Sequence, residues 1–251
     1  MRAILTYHSI DSSGSVISTS EADFARHVRW LASGRVEVVS LDELLTVPSD
    51  RDAVAITFDD GFSNFATTAV PLLEAENLSA TVFVVTEFVG GASTWTDSMR
   101  DDVPTLPLME WSQLARLHEE GFSIGAHSRT HPHLTRISSG ALSDEVHGSA
   151  DRIETEIGVR PRVFCYPYGS VDEQVEREVT GGFELACTTD LRIIDDEVSP
   201  HRLPRLDMYY FREAGKLEAW GTPRFERYLR LRAGARRIRA SVRNVMGQGG
   251  G

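Results

Sequence analysis

Two short runs of the chain, residues 54–58 ("VAITF") and 80–85 ("ATVFVV"), are apolar almost without interruption. A strand with one wet face alternates polar and apolar residues, whereas a strand covered on both faces does not. These runs therefore call for a sheet with helices packed around it. Similar runs predict strands over residues 3–8, 36–40, 53–58, 80–86, 122–126, 163–166, 184–188 and 203–208. Helical spacing lies between them. Ser20 is placed to cap a helix in which Phe24, Val28 and Leu31 share one face. Further helices are predicted over residues 64–77, 110–120, 139–157, 171–180 and 211–220, with Gly121, Gly158 and Gly181 near helix ends. Repeated strand–helix alternation over this length predicts an α/β fold, a distorted (β/α) barrel with about seven parallel strands. Residues 88–107 form one long irregular segment, of a length that is usually either functional or disordered.

Charge divides the chain. The net charge is −11, which argues against nucleic acid as the main partner. Residues 224–251 hold eight arginines and one acid, a formal +7 that leaves −18 on residues 1–223. We read residues 1–223 as the catalytic body and 224–251 as a basic helical tail. The tail is expected to pack on the acidic body. The sharper alternative is a helix that docks on a membrane surface or a partner. No apolar run is long enough to span a bilayer, and the first residues read as a strand rather than a signal peptide. A cytoplasmic protein is expected, and peripheral contact with the inner membrane face belongs to that alternative for the tail. Cys165 and Cys187 lie in apolar runs and read as core thiols of a reducing compartment.

Four motifs carry chemistry. In "TFDDG", Asp59 and Asp60 end an apolar strand and Gly61 allows a tight turn. Adjacent carboxylates shift each other's pKa when both face one cleft. Taken alone, they would more often cap a helix or shape a turn. In "HSRTH", His127 and His131 stand four apart after another strand. On a helical turn their Cβ atoms would be about 5–6 Å apart, close enough to share an ion. Two imidazoles and one carboxylate leave coordination positions open, which suits catalytic zinc, cobalt or iron(II). In "FCYPYG", Pro167 and Gly169 fix a turn that could aim the Tyr168 N–H at a developing oxyanion. In "HRLPRLD", Arg205 could pair with a carboxylate.

Together these motifs resemble the polysaccharide deacetylase family, or NodB-homology domain. "TFDDG", "HSRTH" and "FCYPYG" match its first three motifs in order, and the resemblance covers about residues 3–210. It implies a NodB-type barrel that uses one divalent ion, zinc with cobalt or nickel as alternatives, to remove the N-acetyl group of a sugar or glycan as acetate. By the same resemblance Asp59 is the general base, and Asp60, His127 and His131 are the metal ligands. Arg205 is the arginine that braces the base. The sequence departs from the family twice. Its third motif often begins with arginine where this chain has Cys165. Its last strand, ending in a histidine acid, is missing after Arg205. The opening stretch "ILTYHSI" looks like that strand moved to the front, as in circularly permuted exopolysaccharide N-deacetylases. His8 is then the general acid, with His201 as its rival. Trp95 is read either as a platform for a sugar ring or as a pin for its loop. His27, His118 and His147 are expected on helix surfaces, and His133 is expected to shape a turn. Two other functions use the same residues: O-deacetylation or hydrolysis of a ureide-type amide, and carbohydrate binding without catalysis.

Overall fold

The computed structural model describes residues 1–95 and 103–247. Residues 96–102 of the long irregular segment and the last four residues of the tail lie outside them. Ten strands occur among the described residues: β1 (Arg2–Tyr7), β2 (Ser9–Ile10), β3 (Ser18–Thr19), β4 (Glu37–Val38), β5 (Ala53–Phe58), β6 (Thr81–Val84), β7 (Ser123–Ala126), β8 (Val163–Cys165), β9 (Leu185–Cys187) and β10 (Leu206–Asp207). Seven helices accompany them: α1 (Glu21–Leu31), α2 (Leu41–Leu44), α3 (Val70–Glu74), α4 (Trp111–Glu119), α5 (Ser139–Ile157), α6 (Glu173–Thr180) and α7 (Pro223–Gly247).

The main sheet runs β10-β1-β5-β6-β7-β8-β9, with β4 beside the start of β5. Every pairing in it is parallel. β1, β5 and β6 are buried at every residue, as their unbroken apolar runs require. Alternate residues face opposite sides. Ala3, Leu5, Tyr7, Val54, Ile56 and Phe58 join the large core under the helices. Ile4, Ala53, Ala55, Phe83, Cys165 and Cys187 fill a smaller core inside the curled sheet. The two sheet edges meet through one short run of chain. Leu203 bridges to Cys187 of β9, and Leu206 pairs with Leu5 of β1. Arg205 sits between those two pairings, at the seam of the distorted barrel.

Parallel strands put all their carboxyl ends on one rim. The register sharpens this. β1 and β5 pair from Arg2↔Ala53 through Tyr7↔Phe58, so the next residues, His8 and Asp59, emerge side by side. The Asp59 N–H extends the ladder to the Tyr7 carbonyl at 2.9 Å, and the His127 N–H reaches the Val84 carbonyl at 3.0 Å.

Most predicted elements form near their expected bounds, and Ser20 caps α1 by accepting from the Asp23 N–H. Three expectations are corrected. The helix predicted over 64–77 opens as a π-turn at Phe65–Ala69 before α3. Pro71 lacks the N–H that an α-turn would use there, and the Val70 N–H reaches back to Phe65 O instead. No helix forms over 211–220. A 3-10 turn at Met208–Phe211 is followed by turns in which Gly215 and Gly221 take positive φ. His27 is buried rather than on the surface. Its Nε2 lies 3.0 Å from the Phe211 carbonyl, which can only accept, so Nδ1 accepts from the Tyr7 hydroxyl at 3.1 Å. Of the other two, His118 is half-buried, and His147 Nε2 lies 3.1 Å from Glu178.

Burial lowers the His27 pKa to about 4, below the ordinary histidine value. The unfolded chain binds this proton near pH 6.5 and the folded chain only near pH 4. Stability therefore falls as pH drops through that window and levels off below it. The loss should be on the order of 3 kcal/mol. Urea midpoints at pH 7 and pH 4.5 should differ accordingly, and His27→Gln should flatten that difference.

α7 packs on the body through Phe225 and Leu229, while Leu231 is exposed. Arg236 of this helix lies 3.6 Å from Asp207. No helix among the described residues is long and apolar enough to cross a membrane.

Candidate active site

The rim of carboxyl ends surrounds a cavity of about 410 Å³. His8 from the end of β1, Asp59 and Asp60 from β5, His127 and His131 from the segment after β7, and Tyr168 from the segment after β8 all line it.

Local backbone conformation brings these side chains together. Among the described residues, four of the five non-glycine positions with positive φ lie here: Asp60, Ser128, His131 and Tyr168. Asp60, at φ 72°, interrupts strand alternation, so both carboxylates reach the cavity. Such conformations are rare away from glycine and cluster at functional sites. The "HSRTH" segment is not a helical turn, which corrects the sequence expectation. His127 and His131 meet because Ser128 (φ 63°) and His131 (φ 62°) fold the loop back. At Gly169 (φ 69°) only glycine fits, since a Cβ would stand 2.2 Å from Thr189 Oγ1.

Asp59 is held by a fork. Arg205 Nη1 and Nη2 donate to its two oxygens at 2.6 and 2.7 Å, and Arg205 Nε donates to the Thr188 carbonyl at 2.9 Å. Burial alone would raise the Asp59 pKa. The charge and hydrogen bonds of Arg205 outweigh it and hold the carboxyl well below the usual range. Cys165 Sγ stands behind the pair, 3.1 Å from Arg205 Nη2 and 3.7 Å from Asp59 Oδ2. His8 Nε2 lies on the cavity side, 3.6 Å from Asp59 Oδ2.

Asp60 Oδ1 is 3.6 Å from Nε2 of both His127 and His131, and the two Nε2 atoms are 3.2 Å apart. Donors about 2.1 Å from a tetrahedral ion stand about 3.4 Å from one another, so this triangle fits a divalent cation. The tautomer fits as well. His127 Nδ1 lies 2.7 Å from the Cys165 carbonyl and must donate to it, which leaves a lone pair on Nε2 in the neutral ring. Burial lowers the pKa of both imidazoles and raises that of Asp60. A cation among the three would favour the ionised carboxylate. Asp59, His127 and Cys165 also cluster within 4.8 Å. That set fits a metal poorly, because Arg205 occupies both Asp59 oxygens and burial pushes the Cys165 thiol up.

Other expectations meet mixed outcomes. His201 is not at the cavity; its Nε2 lies 2.9 Å from the Phe183 carbonyl. Trp95 is buried, with its ring 5.4 Å from Phe88 and 5.0 Å from His131, and it forms part of the cavity wall. Pro167 opens the turn that carries Tyr168. His133 stacks on Tyr168 at 4.2 Å, and Tyr168 packs edge-on to His131 at 4.5 Å. No sequence motif gives a role to two further carboxylates near the site. Asp207, at the end of "HRLPRLD", lies within electrostatic reach of His8. Glu145 interrupts the buried apolar face of α5, between Leu142 and Val146. A glutamate on that face was the available signal.

A family model described as polysaccharide deacetylase matches residues 46–182. The chain belongs to the polysaccharide deacetylase family. That span contains Asp59, Asp60, His127, His131 and Tyr168, and leaves His8 and Arg205 to the flanking segments. YxkH of Bacillus subtilis, named for the same family, is 25% identical over 194 residues, covering 74% of this chain and 64% of YxkH. The peptidoglycan-N-acetylmuramic acid deacetylase PdaC of the same organism is 32% identical over 143 residues, 57% of this chain and 27% of PdaC. The chain thus spans less than two thirds of the length of these curated relatives. The solved structure of IcaB from Ammonifex degensii matches in fold, with a TM-score of 0.72 at 21% identity over 82% of this chain and 91% of that one.

Proposed function

We propose that this polysaccharide deacetylase hydrolyses the N-acetyl group of an N-acetylated sugar or glycan and that it does so with a divalent ion, zinc first and cobalt or nickel as alternatives. The observation that carries this reading is the facing of His8 and Asp59 beside the Asp60–His127–His131 triangle. Asp60, His127 and His131 hold the ion. When bound, it polarises the acetyl carbonyl and makes a neighbouring water more acidic.

The chain's own residues do the rest. Asp59, kept ionised and oriented by Arg205, accepts the proton of the attacking water. The Tyr168 N–H donates to the oxygen on which negative charge develops. His8, in its protonated form, delivers a proton from its ring to the departing nitrogen. An amide nitrogen leaves poorly without that proton, whereas an ester oxygen needs it far less. A dedicated acid opposite the base therefore favours N- over O-deacetylation. β1 lies between β5 and β10, and a strand at that place can come from either end of a chain. We take it as the counterpart of the family's last strand, carried at the front.

An acetate-release screen tests this reading. N-acetylated sugars, O-acetylated sugars and cyclic ureides would be compared with added zinc, cobalt and nickel. Acetate from the N-acetylated set is expected. Turnover confined to esters or ureides would overturn the N-deacetylase assignment.

A further inference from the structure

Between the two histidines of the metal triangle, the Arg129 and Thr130 amides end on a side chain. The His131 N–H donates to Ser128 Oγ at 2.9 Å. The Arg129 and Thr130 N–H groups both donate to Glu145 Oε2, each at 2.8 Å, and the Thr130 hydroxyl donates to Oε1 at 2.5 Å. One carboxylate from α5 thus takes three hydrogen bonds from Arg129 and Thr130, the two residues between the positive-φ positions Ser128 and His131.

Burying a carboxylate in an apolar helix face is costly unless its oxygens are satisfied. Glu145 is 9% exposed, and its hydrogen bonds are with this loop. The loop in turn holds positive φ at Ser128 and His131, a conformation that surrounding contacts must maintain. The Arg129 side chain adds a second tie, pairing with Asp144 of the same helix and with Glu87.

We infer that Glu145 is a positioning residue for the metal centre: it templates the 128–131 loop so that the Nε2 atoms of His127 and His131 converge before an ion binds. The inference rests on the assignment of those histidines as ligands. Without the template, the loop must be ordered by the ion itself, and affinity falls.

The test measures zinc affinity of the full chain by competition with a chromophoric chelator. Glu145→Ala should weaken zinc binding roughly 10–100-fold, the usual cost of losing a group that orients a ligand. Glu145→Gln keeps an oxygen for the two amides, and its NH2 can donate to a reoriented Thr130 hydroxyl, so affinity should stay within about threefold. Exchange of the Arg129 and Thr130 amides in the metal-free protein should accelerate in Glu145→Ala and not in Glu145→Gln. If Glu145→Ala does not fold, Thr130→Val serves in its place, with an expected loss of about threefold to tenfold in zinc affinity. Wild-type affinity in Glu145→Ala, or in Thr130→Val where that variant stands in, would overturn the inference. So would equal losses in the Ala and Gln variants. A wild-type chain that takes up no zinc would overturn both this inference and the metal reading on which it rests.

Discussion

Asp59→Asn should lower kcat for acetate release by roughly a thousandfold while leaving the metal content unchanged. Asparagine keeps the shape of the side chain and one acceptor oxygen, but it cannot take a proton from water. The proposed ligands Asp60, His127 and His131 are untouched, so the ion should remain. A second consequence separates this variant from an ordinary surface change. Arg205 is 3% exposed and its guanidinium is paired with both Asp59 oxygens. Neutralising Asp59 leaves that buried charge half-partnered, which should cost about 3 kcal/mol of stability. Chemical denaturation would read the loss, and elemental analysis would check the metal. Wild-type turnover in Asp59→Asn would remove Asp59 as the base.

His8→Ala should lower kcat/KM for an N-acetyl substrate roughly 10²–10⁴-fold, the range usual for loss of a general acid. For an O-acetyl ester of the same sugar the loss should stay below about tenfold, because an alkoxide leaves with less help from an acid. His8 sits at the cavity rim with its side chain 25% exposed, so stability should change by no more than about 0.5 kcal/mol. The ratio of amide to ester turnover is therefore the informative quantity. Equal losses on both substrates would point to a binding role for His8, and no loss on the amide would end its assignment as the acid.

The strands and the rim were legible because uninterrupted apolar runs mark strands covered on both faces, and parallel strands of one barrel share a carboxyl rim. Asp59 and Asp60 stood directly after such a run, His127 directly after β7, and His131 four residues further on. How they converge was hidden. Sequence spacing suggested a helical turn for His127 and His131, whereas positive φ at Ser128 and His131 folds the loop, and only the surrounding contacts fix those angles. Arg205 reaches Asp59 because the run from Leu203 to Leu206 crosses the barrel seam, a closure that no local pattern encodes. His27 looked like a surface residue of α1; its burial depends on the Phe211 carbonyl, far along the chain. The helix expected over 211–220 failed where Gly215 adopts positive φ. Local propensity set the elements, and tertiary contacts set the site.

In the proposed mechanism Asp60, His127 and His131 hold one divalent ion in front of Asp59 and His8. Elemental analysis of the purified chain tests it most directly, run beside the double variant His127→Ala, His131→Ala. The wild type should carry about one divalent ion per chain and release acetate, and the double variant should carry none and release none. A double variant that keeps a full complement of metal, or a metal-stripped wild type that still releases acetate at an undiminished rate, would rule out this metal centre.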